Sequence, residues 1–211
     1  MRKWYPALLV VLSIIVSVYA YPRLPDRVPI HWNIHGQPNG YGSRLFATVL
    51  FPALLLVMWA FLRGLPRIDP RRANYAKMEG TYDLVVNAAL TIVLLAHGSS
   101  IAAALGAHVA IERVIPAAIG LMLVVIGNVM PRARPNWWFG IRTPWTLSND
   151  RVWERTHRVG GRLFVAAGVL IVIAAFLPPL VALPAIVVFG AGSSLAAVVY
   201  SYFAWREETK R

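Results

Sequence analysis

The sequence predicts an all-α integral membrane protein: six transmembrane helices with both termini inside (N-in/C-in), a turn-rich outer loop and a basic amphipathic helix in a cytoplasmic loop. Three observations carry this. Of 211 residues, 58% are apolar and 14% charged, with a mean hydropathy of +0.58, far from a soluble globular mix. Six apolar runs, 5–21, 46–62, 84–105, 114–130, 163–182 and 184–204, approach the roughly 20 residues that a helix needs to cross a bilayer core. The 21 Lys and Arg, against nine Asp and Glu, stand as islands between those runs. A nucleic-acid-binding module spreads its charge over a polar surface, so the basic excess is read as a topology signal and no direct nucleic-acid binding is expected.

The first span follows Arg2 and Lys3 and opens on Trp4 and Tyr5, rings suited to a membrane interface. Its end at Val18-Tyr19-Ala20 also fits a signal cleavage site. Cleavage would leave the two termini on opposite sides of the membrane, so a retained helix is preferred. Loop 22–45 holds Pro22, Pro25, Pro29 and Pro38 with the turn pairs His35-Gly36 and Asn39-Gly40, which describes an ordered, turn-rich loop. His31 and His35 have the spacing of zinc ligands on a helix, but Gly36 and the prolines oppose a helix and no third ligand is near, so no metal and no cofactor are expected. The plain reading folds His31, Trp32 and Tyr41 onto the membrane face. The sharper one makes His31, Trp32, Asn33, His35 and Tyr41 a recognition surface for an extracellular ligand.

The second span (46–62) carries Pro52 one turn in, where a kink or a helix end is expected. Loop 63–83 brings Arg63, Arg67, Arg71, Arg72 and Lys77. The third and fourth spans follow, with Gly120 and Gly127 as small contact points in the fourth. Loop 131–162 adds seven Arg, and Arg206, Lys210 and Arg211 close the chain. Seventeen cations thus share one side and four, Arg23, Arg27, Arg44 and Arg113, the other. By the positive-inside rule both termini and loops 63–83 and 131–162 are cytoplasmic. Pro178-Pro179, near the end of the fifth span, would kink or end that helix, and Gly190, Gly192, Ser193, Ser194 and Ala196 offer a small-residue packing surface in the sixth.

Loop 131–162 is the most distinctive stretch. Pro131, Pro135 and Pro144 break helix, and Trp137, Trp138, Trp145 and Trp153 suit the headgroup layer. Ser148 or Asn149 can cap a helix on which Arg151, Arg155, Arg158 and Arg162 form a basic stripe beside Val152, Thr156, Val159 and Leu163. That predicts a basic amphipathic helix at the inner membrane surface, anchored to anionic lipid or docking a partner. Arg142, between Gly140 and Pro144, is expected to clamp the loop. Asn128 and Asn136 are expected to pair with the loop's own backbone, and His157 is read as one more residue of the basic helix.

At these residues the chain resembles the SdpI bacterial membrane proteins, named for an immunity protein against a secreted peptide toxin. The resemblance rests on Gly127-Asn128, Met130-Pro131, Arg134-Pro135-Asn136, the run Gly140 to Ser148 through Arg142-Thr143-Pro144-Trp145, and Trp153 with Thr156-His157-Arg158 and Gly160-Gly161. Pro29 to Ser43, with His31-Trp32-Asn33 and Gly40-Tyr41-Gly42-Ser43, resembles the domain of unknown function that commonly precedes that segment. What the resemblance implies is a six-helix inner-membrane protein without enzymatic activity. Its partners would be the lipid bilayer, a secreted peptide toxin outside and a small DNA-binding repressor held on the cytoplasmic side. The expected division is a two-helix membrane segment (1–65), a cytoplasmic loop with the third helix (66–113) and an SdpI-like three-helix segment (114–211).

A transporter is the alternative, through a polar path of Asp83, Asn87, His97, Ser99, Ser100 and Asn128. An enzyme is disfavoured: the chain has no Cys, no acid accompanies the histidine pair in a metalloprotease pattern, and no nucleophile elbow or phosphate loop is present.

Overall fold

A computed structural model describes residues 3–33 and 35–210; Arg2 and Arg211, two of the cations counted above, lie outside them. Six helices are long and apolar enough to cross a membrane, each overlapping a predicted run, although the fifth, Asp150–Ala174, begins and ends earlier than the expected 163–182. The elements are α1 (Tyr5–Ala20), β1 (Arg27–Trp32), β2 (Pro38–Ser43), α2 (Arg44–Ile68), α3 (Ala73–Lys77), α4 (Glu79–Ala104), α5 (Ile111–Val129), α6 (Pro144–Ser148), α7 (Asp150–Ala174), α8 (Pro179–Ala185) and α9 (Gly192–Glu208). A π-helical turn, Ile186–Ala191, joins α8 to α9, so the sixth span runs from Leu180 to Glu208.

The long helices pack as two groups of three, α1 with α2 and α4, and α5 with α7 and α9, and the groups meet where α4 lies against α5. Inside the first group Leu9, Leu55, Tyr82, Val86 and Leu90 form a core that also takes in Ala133 and Trp153 from the second. In the second group the closest approach is glycine on glycine: Gly120 against Gly168, and Gly127 against Gly161. With no hydrophobic drive between helices in lipid, such close backbone contact is what holds them.

Four contacts bring both termini and both basic loops to one end of the bundle. Lys3 pairs with Glu79 at 2.9 Å, Arg71 with Asp150 at 3.2 Å, Asn74 donates to the Pro135 carbonyl at 2.8 Å, and Arg155 pairs with Glu208 at 3.3 Å. The hairpin of β1 and β2 sits at the other end, where the Ser100 hydroxyl donates to the Pro29 carbonyl at 2.7 Å.

Several expectations are corrected. The turn-rich loop is an antiparallel β-hairpin with register shifts around His31. The prolines do not prevent it, because each strand of a two-stranded sheet has an unpaired edge, and Val28 anchors it by full burial. Pro52 and Pro66 lie inside α2 without ending it, as transmembrane helices tolerate. The basic segment is not a helix lying on the membrane. Residues 150–174 are one continuous helix, and the face of Val152, Trp153, Thr156 and His157 is covered by protein. Gly190 and Gly192 have open space where a Cβ would stand, so they are not the contact points of the sixth span.

Candidate functional site

The signature loop begins where a 3₁₀ turn, Met130–Arg132, ends α5. Asn136, fully buried, organises the next residues. Its Oδ1 accepts from the Trp138 and Phe139 amides at 2.9 and 2.6 Å, and its Nδ2 donates to the Arg134 and Phe139 carbonyls at 2.9 Å each. This is the backbone partnership expected of it. Gly140 follows with φ +106°, and a Cβ there would strike the His157 ring, so only glycine fits.

His157 is the loop's anchor. The Ile141 amide donates to its Nε2 at 3.0 Å, so that nitrogen carries no proton, and the Nδ1 proton goes to the Trp153 carbonyl at 2.9 Å. Trp153 stacks on the same ring at 4.0 Å between centroids and donates its indole N–H to the Ala133 carbonyl at 2.8 Å. Both side chains are buried. His157 is therefore no member of an exposed basic stripe, and Trp153 no headgroup-layer ring.

Thr143 caps α6 and shares a capping box with Thr146. The Thr143 hydroxyl also meets that of Ser201 on α9 at 3.0 Å, and Trp145 packs edge-on against Tyr202. Arg142, exposed, donates to the Trp137 carbonyl at 2.7 Å, a clamp across the turn. Asn149 rather than Ser148 caps α7, accepting from the Arg151 and Val152 amides. Thr156 is fully buried and its hydroxyl has no hydrogen-bond partner among the described residues. Asn128 departs from expectation: it is exposed, makes no hydrogen bond among the described residues, and lines a cleft with Arg158 and Arg162. The other two arginines of the stripe are paired, Arg155 with Glu207 and Glu208, Arg151 with Glu208.

Sequence reasoning missed what holds this loop to the first helix group. Asp69, 3% exposed, accepts from the Trp137 amide at 2.9 Å, the Tyr75 hydroxyl at 3.0 Å and the Arg71 amide at 2.7 Å. Tyr75 also reaches Asn136 at 3.2 Å, and the Arg71 guanidinium donates to the Leu147 carbonyl at 2.9 Å. Burial and the Asp69 carboxylate push the Tyr75 phenol above its ordinary value. The available signal was an acid set among Arg63, Arg67, Arg71 and Arg72.

At the hairpin end a cleft of 530 Å³ opens between β1, α2, α4, α5 and α8. His31, Trp32 and Asn33 line it with Phe51, Ile115 and Glu112; His35 and Tyr41 do not. His31 Nδ1 bonds Asn39 Oδ1 at 2.5 Å, Asn33 closes the hairpin turn by accepting from the His35 and Gln37 amides, and Tyr41 lies under Arg27. Among the described residues no three His, Asp or Glu gather as a metal site.

Of the polar path, Asp83 pairs with Arg63 at the basic end. His97 is not alone: Ser17 stands 3.1 Å from its Nε2 and donates to the Thr48 carbonyl. No hydrogen bond among the described residues joins Asp83, Asn87 and His97 into a relay.

Comparisons with known proteins match this geography. Residues 8–56, which carry α1, the hairpin and half of α2, match a domain of unknown function (DUF1648), and residues 132–202, from the signature loop into α9, match the SdpI/YfhL protein family. The chain is 28% identical over 169 residues to the immunity protein SdpI of Bacillus subtilis, covering 80% of this chain and 79% of that one. It is 36% identical over 52 residues to the uncharacterized membrane protein YbgB of the same organism, covering 24% of this chain and 57% of that one. No solved structure matches. With six helices long and apolar enough to cross a membrane, this is a multi-pass bacterial membrane protein, similar over residues 132–202 to the SdpI/YfhL protein family and over most of its length to an immunity protein.

Proposed function

We propose that the protein is an SdpI-like immunity and signal-reception protein. It recognises a secreted, membrane-active peptide at its hairpin end and presents its basic end to a cytoplasmic partner, a small DNA-binding repressor being the one the family resemblance suggests. The observation that carries this is the apolar cleft beside His31, Trp32 and Asn33, at the bundle end opposite the basic loops. Charge asymmetry supports placing that end outside, where such a peptide arrives. The signature loop supports a scaffold or coupling role, because Asn136, Thr143, Thr146 and His157 spend their polar atoms on one another, on Ser201 and on backbone.

The mechanism is a two-state shift of the helix bundle biased by the ligand. The test is survival and membrane potential of peptide-sensitive bacteria expressing the protein, beside His31→Ala and Arg142→Ala variants at equal membrane levels. Loss in the His31 variant supports recognition at the hairpin; loss in the Arg142 variant alone moves the working part to the signature loop. Wild type that inserts well and gives no protection ends the immunity reading for that peptide.

A further inference from the structure

Among the nine Asp and Glu side chains, all within the described residues, eight are engaged. Asp26, Glu79, Asp83, Asp150, Glu154, Glu207 and Glu208 form ion pairs, and Asp69 accepts its three hydrogen bonds. Glu112 has neither among the described residues, in a chain with a formal charge of +12. It stands in the first turn of α5, packed on the Gly36 backbone, in the wall of the 530 Å³ cleft whose other lining is largely aliphatic and aromatic. In the lining of the same cleft, His31 contributes an acceptor. The Asn39 oxygen can only accept, so in the neutral imidazole the His31 proton sits on Nδ1 and Nε2 keeps a lone pair. Beside the neutral polar groups of Trp32, Asn33 and Ser99, the one charged side chain in the cleft lining is thus a carboxylate, with the neutral His31 adding an acceptor. A lysine or terminal ammonium has three donors and no acceptor, and it matches both groups and the charge.

We propose that the cleft binds an apolar peptide segment carrying a cation, and that Glu112 selects the charge. This rests on reading the cleft as the recognition site and adds the chemistry of its ligand. The test uses the full chain in phosphatidylcholine nanodiscs, with empty nanodiscs as background, and two synthetic probes: a short leucine-rich peptide bearing one lysine, and the same peptide with norleucine in its place. The lysine peptide is expected to bind about tenfold tighter, the effect of one charge-assisted hydrogen bond, and Glu112→Gln removes that preference while leaving the norleucine peptide's affinity unchanged. Trp32→Ala weakens both peptides, which locates them in the cleft. Equal binding of the two peptides to wild type, or a preference that survives in Glu112→Gln, overturns the inference and leaves the recognition reading standing. Failure of both peptides to bind overturns both. Displacement of the lysine peptide by added phosphatidylethanolamine makes the occupant a lipid ammonium and overturns the peptide assignment.

Discussion

Gly127 and Gly161 face each other where α5 crosses α7, and a methyl on either would stand 2.5 or 2.6 Å from the other's carbonyl oxygen. Gly120 and Gly168 repeat the arrangement seven residues along each helix. A backbone oxygen inside a helix has no room to give. Gly127→Ala and Gly161→Ala are each expected to cost about 1–3 kcal/mol, the range of an overpacked core, read as a lower unfolding midpoint in detergent. Gly98→Ala in α4 meets nothing within 4 Å and is expected to be neutral or stabilising by up to about 1 kcal/mol.

Asn136→Ala removes the acceptor of two loop amides and of the Tyr75 hydroxyl together with both amide donors. At about 1–3 kcal/mol for each buried group left unpaired, the loop is expected to open before the spans unfold. Limited proteolysis measures this: cleavage at residues 132–142 rises while the helical content by circular dichroism holds.

Tyr75 gives the latch a pH dependence. Its phenol is raised above the ordinary tyrosine value of 10.0, by burial first and the Asp69 hydrogen bond second. The folded state therefore favours the protonated phenol, and the stability this contributes is complete below pH 10.0 and falls as pH rises past it. Tyr75→Phe is expected to be less stable than wild type by about 1 kcal/mol near neutrality. The gap narrows above that pH; a gap constant across the alkaline range refutes the assignment.

The chain has no cysteine, so single thiols report topology directly. Tyr41 and Trp138 are 48% and 41% exposed at opposite ends of the bundle. In intact cells Tyr41→Cys is expected to react with an impermeant maleimide, and Trp138→Cys only after the membrane is opened. The reverse result would turn the bundle over and place the cleft inside.

The spans were legible because a twenty-residue apolar run has few alternatives in a bilayer. The hairpin was not: prolines mark turns reliably, and the burial of Val28 that commits the segment to a strand depends on α1, α2 and α4. The signature loop was legible as a unit. The direction of its polar groups was not, since His157 reads from sequence like any residue between basic neighbours and becomes an anchor only when Gly140 lets Ile141 approach it. Asp69 and Tyr75 were invisible because their partners stand about 60 residues further along the chain.

The contact between Thr143 and Ser201 spans 58 residues, which has a consequence for biosynthesis. When the ribosome has delivered α6 and α7, the Thr143 hydroxyl is held only by its exchange with Thr146 inside its own turn. The side chain that completes it arrives with the sixth span. The Thr143 to Ser201 contact thus forms only when the sixth helix is inserted with Ser201 turned to the signature loop, and a chain whose α9 is misplaced leaves Thr143 without that partner.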